Sequence, residues 1–286
     1  MMRALHLGAS HLSGALTALV LGASAPVLAA DSAVISATGS STIAPLLSEI
    51  GKNFEKANPH VRVEIQSGGT SRGIADVRQG SARFGMVSRA LHPAEADLAR
   101  TLLARDGVGM IVHKSNPVQS LTRDQVIAIY TGGVKNWQQV GGPNLSITVI
   151  SKAEGRSTLE VFAQYFGLTS RTIKAQVIVG DNQQEIRTIA TNKGAIGYVS
   201  IGSAEFEAKN GAPVKLVALD KFVPSTAAVA GGNYPMAREL NLVYRKPLSK
   251  DEAAFLAYAT SPAATKEIEA QFFIPVAGVA IAGGSK

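Results

Sequence analysis

Three short stretches gather hydroxyl side chains beside glycine: GSSTIAP at 39–45, SGGTSRG at 67–73 and EGRST at 154–158. Each stands just ahead of a segment whose apolar residues recur with helical spacing. A helix start presents unpaired backbone N–H groups and the positive end of the helix dipole, so it attracts anions. Ser40, Ser41 and Thr42 would surround the first start, with Pro45 tolerated in the first turn, where its missing N–H leaves nothing unpaired. Gly68 and Gly69 permit a tight turn and close backbone approach ahead of Thr70 and Ser71. Ser157 with Glu160 reads as a capping box. Capping alone accounts for any one cluster, because Ser and Thr are preferred caps. Thr122 and Gln125 form the same box with no other sign of a site nearby. Three clusters, with Arg72, Arg89 and Arg156 close by, point instead to a shared site for a small tetrahedral oxyanion. Each bond to a charged partner contributes about 1.5–3 kcal/mol, and a micromolar complex needs about 8 kcal/mol, so several such bonds suffice.

Other chemistries fit less well. Gly69-Thr70-Ser71-Arg72-Gly73 satisfies G-x-S-x-G, the setting of a hydrolase nucleophile at Ser71. That fold orders its triad Ser, acid, His, and only His92 and His113 follow Ser71. No GxxxxGK[ST] phosphate loop occurs. His60, His92 and His113 lack metal-ligand spacing, so neither metal nor cofactor is expected. Trp137, in a glycine-bounded loop, reads as a packing residue.

The elements that must position these clusters alternate along the chain. Expected strands are 33–37, 61–65, 84–88, 108–113, 146–151, 175–180 and 195–200. Expected helices are 42–57, 72–80, 93–104, 122–130, 157–166, 182–191, 250–260 and 262–273. In the first helix Ile43, Leu46, Leu47, Ile50 and Phe54 share one face. Such alternation predicts an α/β protein with mainly parallel strands. Two stretches read as crossings between lobes: VHKSNPV at 112–118, and the Gly- and Pro-rich 220–235.

Residues 1–30 carry one charge, Arg3, an apolar run broken by Gly14, Gly22, Ser24 and Pro26, and a small-residue exit at Val27-Leu28-Ala29. This pattern predicts a cleaved secretory signal peptide rather than a membrane span. The chain contains no cysteine, which excludes disulfides, thiolate metal sites and a lipidated anchor. With 46% hydrophobic and 17% charged residues the remainder is globular. The formal charge of +7 favours anionic partners, but basic residues are scattered and no recognition motif for nucleic acid occurs.

From Gly39 to about Val276 the chain resembles the periplasmic phosphate-binding proteins of ABC importers, the Pst type. The resemblance rests on the order of GSSTIAP, FGMVSR, LTRDQVIAIYTGGVKNWQQVGG, NQQEIRTIATNKGAIGYVSIG, NYPMAREL and FFIPV. It implies a two-lobed periplasmic binding protein (type II), each lobe a mixed sheet flanked by helices, joined by two hinge crossings. Lobe 1 would hold 31–113 and the return segment 237–286, and lobe 2 would hold 114–236. Function would be capture of inorganic phosphate between the lobes and delivery to a membrane permease, by a monomer without enzymatic activity. Phosphonate, phosphate ester, sulfate or another oxyanion is the alternative ligand, and an anion sensor the alternative role.

The resemblance places Ser41, Thr42, Thr70, Ser71 and Ser88, with Arg89 beside it, on the lobe-1 wall, and Lys152, Arg156, Ser157 and Thr158 on the lobe-2 wall. Two departures stand out. Arg156 occupies a position where the family usually has serine; its guanidinium would either offer a bidentate contact or point away and leave a different site. Ser88 stands where many relatives have the aspartate that selects a protonated anion; Glu154 is a candidate substitute acceptor, against its more ordinary reading as an exposed structural acid.

Overall fold

The computed structural model describes residues 33–276; the expected signal peptide lies outside the described residues. In chain order the strands are β1 (Ala33–Gly39), β2 (Val61–Ser67), β3 (Phe84–Val87), β4 (Ala99–His113), β5 (Ser120–Leu121), β6 (Thr148–Lys152), β7 (Val177–Val179), β8 (Ala195–Ser200), β9 (Val214–Leu219), β10 (Ala237–Tyr244) and β11 (Ile274–Pro275). The helices are α1 (Ala44–Ala57), α2 (Thr70–Gln79), α3 (Arg123–Tyr130), α4 (Ser157–Phe166), α5 (Asn182–Thr191), α6 (Ile201–Lys209), α7 (Thr226–Ala230), α8 (Lys250–Ala259) and α9 (Thr265–Ala270).

The strands order as β2-β1-β3-β10-β4-β8-β6-β7, with β9 beside β4, β5 beside β9, and β11 beside Ala104–Arg105 of β4. Pairings of β1 with β2 and β3, and of β6 with β7 and β8, are parallel. Pairings of β10 with β3 and β4, and of β4 with β8 and β9, are antiparallel. The sheets are therefore mixed, because the long β4 and the returning β10 run against the parallel βαβ units on either side.

One strand joins the two sides. Residues up to Gly107 of β4 pair with β10, whereas Val108 onward pairs with β8 and Met110 onward also with β9. Val108 donates its backbone N–H to the Met236 carbonyl, and the Tyr234 hydroxyl donates to the Val108 carbonyl at 2.8 Å. Both passages of the chain thus lie side by side at 107–108 and 236–237. The 112–118 stretch singled out by its turn residues lies at the end of β4 and on toward β5.

Separate cores lie on either side. The first gathers Ile43, Leu47, Phe54, Phe84, Leu242 and Phe255, with Phe84 edge-on to Tyr244. The second gathers Tyr130, Trp137, Phe162, Ile196 and Tyr198, where Phe162 stacks on Tyr198 with centroids 3.9 Å apart. Trp137 is fully buried and donates its indole N–H to the Gly194 carbonyl at 2.9 Å, which is a packing role. The expected helix at 93–104 is replaced by a single 3-10 turn at Pro93–Glu95 and the first half of β4. Likewise 262–273 divides into a 3-10 turn and the short α9.

Candidate functional site

Buried hydroxyls from both sides of the molecule meet in one cluster. Gly39, at φ 130°, ends β1 where an added Cβ would lie 2.4 Å from the Met86 carbonyl. The chain can therefore pass Met86 closely and deliver Ser40 and Thr42 to the start of α1. The Ser40 hydroxyl accepts from the Thr42 backbone N–H at 3.1 Å and donates to Ser88 Oγ at 2.8 Å. Thr70, the first residue of α2, accepts from the Ser88 backbone N–H at 3.3 Å. Across the cleft, Ser157 Oγ lies 2.5 Å from Ser88 Oγ and accepts from Thr70 Oγ1 at 3.0 Å. Ser40, Thr42, Thr70, Ser88, Ser157 and Thr158 are all buried.

Arg238 spans the two sides. It opens β10, and its guanidinium donates from Nη2 to Thr42 Oγ1 at 3.1 Å and from Nη1 to Thr158 Oγ1 at 3.0 Å. Asp106, its register partner on β4, holds it through Oδ2 at 3.1 Å from Nε and 2.8 Å from Nη2. The other Asp106 oxygen accepts from the Gly202 backbone N–H at 3.1 Å. Both side chains are 1% exposed, so the charges are paired and fixed where the chain passes between the lobes. Asn182, from the start of α5, donates Nδ2 to Thr42 Oγ1 at 3.0 Å, while its own Oδ1 is buried without a partner.

Side-chain capping differs among the helix starts. The starts of α3, α5, α6, α7 and α8 each carry a side-chain cap bond. Those of α1, α2, α4 and α9 carry none. Thr122 and Gln125 do form their box, but Ser157 and Glu160 do not. Arg156 is the residue at the cap position, Ser157 is the first helical residue, and its hydroxyl turns to Thr70 and Ser88. The starts of α2 and α4, uncapped by side chains, stand beside a ring of hydroxyls, an arrangement that suits an oxyanion.

Of the residues singled out from the sequence, Thr42, Thr70, Ser88, Ser157 and Thr158 come together. Ser41 is half-buried beside them. Ser71 is exposed and contributes its backbone N–H to the Gly155 carbonyl at 3.2 Å. Among the described residues no histidine is hydrogen-bonded to it. The Arg89 guanidinium is taken by Glu95 and Glu160 instead of the cluster. Lys152 is buried against Glu185 and donates to the Asp181 carbonyl at 3.3 Å. Burial lowers the Lys152 pKa and raises that of Glu185, and each partner opposes the shift of the other. Arg156 lies over the turn at Gly69, where an added Cβ would meet its Cδ and the Gly155 carbonyl at 2.8 Å. It makes no hydrogen bond to the hydroxyls. Glu154 accepts from exposed Ser170 at 2.7 Å, away from the cluster, so it does not supply the missing acceptor. Sequence reasoning did not single out Asp106, Asn182 or Arg238, whose partners lie far along the chain.

Residues 24–263 match the family model described as a PBP superfamily domain. The chain belongs to the PBP superfamily. Within the superfamily it is similar to a putative phosphate ABC transporter substrate-binding protein from Clostridium perfringens, solved with bound phosphate. That likeness has TM-score 0.79 and 28% identity, covering 85% of this chain and 99% of the other. An ABC-type phosphate transport receptor from Vibrio cholerae aligns with TM-score 0.69 and 29% identity over 85% of this chain and all of its own. The phosphate-binding protein PstS of Bacillus subtilis is 27% identical over 250 residues, spanning 84% of this chain and 79% of the relative.

Proposed function

We propose that this chain is the solute-binding protein of a Pst-type ABC importer, which captures inorganic phosphate between two lobes and passes it to the membrane permease. It is a binding protein, not an enzyme. The observation that carries the reading is the cluster in which Ser88 and Thr70 of one lobe meet Ser157 of the other, with Arg238 bonded to Thr42 and Thr158. The two-lobed relatives named for phosphate support the choice of ligand.

The proposed contacts are the hydroxyls of Ser40, Thr42, Thr70, Ser88, Ser157 and Thr158, the backbone N–H groups at the starts of α2 and α4, and Arg238. Because Arg238 already faces Asp106, the anion meets many dipoles rather than a neutralising countercharge. Thr42 Oγ1 accepts from both Arg238 and Asn182, so its own hydrogen is free to be donated to the anion. Selectivity for a protonated oxyanion falls to the buried, unpartnered Asn182 Oδ1, which can accept a phosphate O–H that sulfate lacks. Lys152, Arg89 and Arg156 act around the anion rather than on it. The lobes divide at 107–108 and 236–237, the protein works as a monomer, and residues 1–30 export it to the periplasm. No described helix is long and apolar enough to cross a membrane.

Calorimetry with phosphate and sulfate at matched ionic strength tests the assignment. Micromolar or tighter phosphate binding, at least about tenfold stronger than sulfate, is the expected result. Equal weak binding of the two would overturn it.

A further inference from the structure

We infer that Arg89 and Glu160 form the latch that holds the lobes together around the anion, with Glu160 the positioning residue that sets how long the ligand stays. This rests on the reading of the cleft given above. Arg89 follows Ser88 at the end of β3, and Glu160 sits in the first turn of α4, the helix that Ser157 begins. The ion pair and the Ser88–Ser157 contact are thus carried by the same two pieces of backbone. Neither can separate without the other.

The lobe-1 half of the latch is fixed in advance. Glu95 grips the Arg89 guanidinium with two bonds of 2.8 and 2.9 Å, the Ala90 carbonyl accepts a third at 2.9 Å, and Asn241 Nδ2 donates to the Arg89 carbonyl at 3.1 Å. What remains free is Nε, which donates to Glu160 Oε2 at 2.5 Å. A preordered donor loses little conformational freedom when the lobes meet. Glu160 also lies in the first turn of its helix, where negative charge is favoured, and His92 Nε2 stands 3.6 Å from the same oxygen. Apart from this His92–Glu160 contact, every other ion pair among the described residues joins groups on one side of the cleft or at the crossing itself. The Arg89 side chain is 7% exposed and that of Glu160 is 30% exposed, so the pair is stronger than a freely solvated one. One flank opens on an interlobe cavity of about 540 Å³ whose lining includes Arg89, His92, Glu160, Tyr165 and Arg238. Closure therefore completes a bridge, and measured affinity scales with the fraction of molecules that are closed.

The test uses Glu160→Gln and Glu160→Lys in the full chain. The absence of cysteine lets a dye pair be placed at Gln66→Cys and Ile178→Cys, exposed positions on the outermost strands β2 and β7. Energy transfer then reports the closed fraction with and without inorganic phosphate. Stopped-flow binding of phosphate supplies the rates. Glu160→Gln should raise the dissociation rate about fivefold with association unchanged within about twofold, as for loss of a close charge pair. Glu160→Lys, which sets a cation against Arg89, should raise it at least about thirtyfold. Both should lower the closed fraction, while Glu64→Gln, on the outer face of β2, should change nothing. A closed fraction and dissociation rate unaltered in both Glu160 variants would overturn the latch. Failure of the unmodified chain to bind phosphate would overturn the assigned ligand instead, and the energy-transfer comparison would still judge the latch.

Discussion

Arg238 and Asp106 face each other in register across β10 and β4, at the place where both strands pass between the lobes. The guanidinium is clamped by one carboxylate oxygen while its remaining donors reach Thr42 on one side and Thr158 on the other. A single side chain at the pivot therefore touches both walls of the site.

Replacing Arg238 tests that role. Arg238→Gln removes both cross-cleft bonds and leaves Asp106 buried and unpaired. Phosphate affinity should fall at least about a hundredfold, and unfolding free energy by about 3–5 kcal/mol. Arg238→Lys keeps the charge but cannot span both threonines, so calorimetry should place it between the two.

Lys152 separates a ligand role from a structural one. Lys152→Met strands Glu185 in the interior, and chemical denaturation should report a loss of about 3–5 kcal/mol. In Lys152→Met/Glu185→Leu most of that stability should return, with phosphate affinity within about threefold of the unmodified chain. A double variant that folds well but has lost phosphate would restore Lys152 to the ligand set.

Asn182 addresses selectivity. Asn182→Ala deletes the unpartnered Oδ1 and the donor to Thr42. Phosphate binding should weaken about tenfold or more, with sulfate binding changed much less, so the ratio of the two constants narrows. Parallel losses for both anions would confine Asn182 to orienting Thr42.

Acid stability should depend on Glu95. Burial pushes its carboxyl up, but the Arg89 fork and the His92 backbone N–H outweigh that and hold it below the ordinary carboxylate value. A depressed carboxyl stabilises the fold above its unfolded pKa, about 4.3, and that contribution is lost as pH falls through the folded value. Melting temperatures should hold from neutrality to about pH 5 and decline below about pH 4. Glu95→Gln should start lower and decline less steeply.

Much of this was legible locally, and the failures have physical causes. The α1 face and the starts of α4 and α5 follow from apolar spacing and turn residues, which act over a few positions. The segment ARTLLAR offers Leu102 and Leu103 at helix-compatible spacing, yet it becomes the first half of β4 because β10, far along the chain, pairs with it. Thr122 and Ser157 are the same kind of cap signal in sequence. Only the arrival of Ser88 and Thr70 from the other lobe diverts Ser157 from capping. Arg238 lies within NYPMAREL and has no chemical neighbour there; its partner Asp106 is 132 positions away. Residues whose role depends on a long-range pairing leave no local trace.

In the proposed site, hydroxyls from opposite lobes hold one phosphate. Phosphate titration of Ser88→Ala, Ser157→Ala and the double variant tests it most directly. Each single change should weaken binding at least about fivefold, and the double variant should depart clearly from the product of the two, since the groups share one ligand. Affinities within about twofold of the unmodified chain for all three would contradict it.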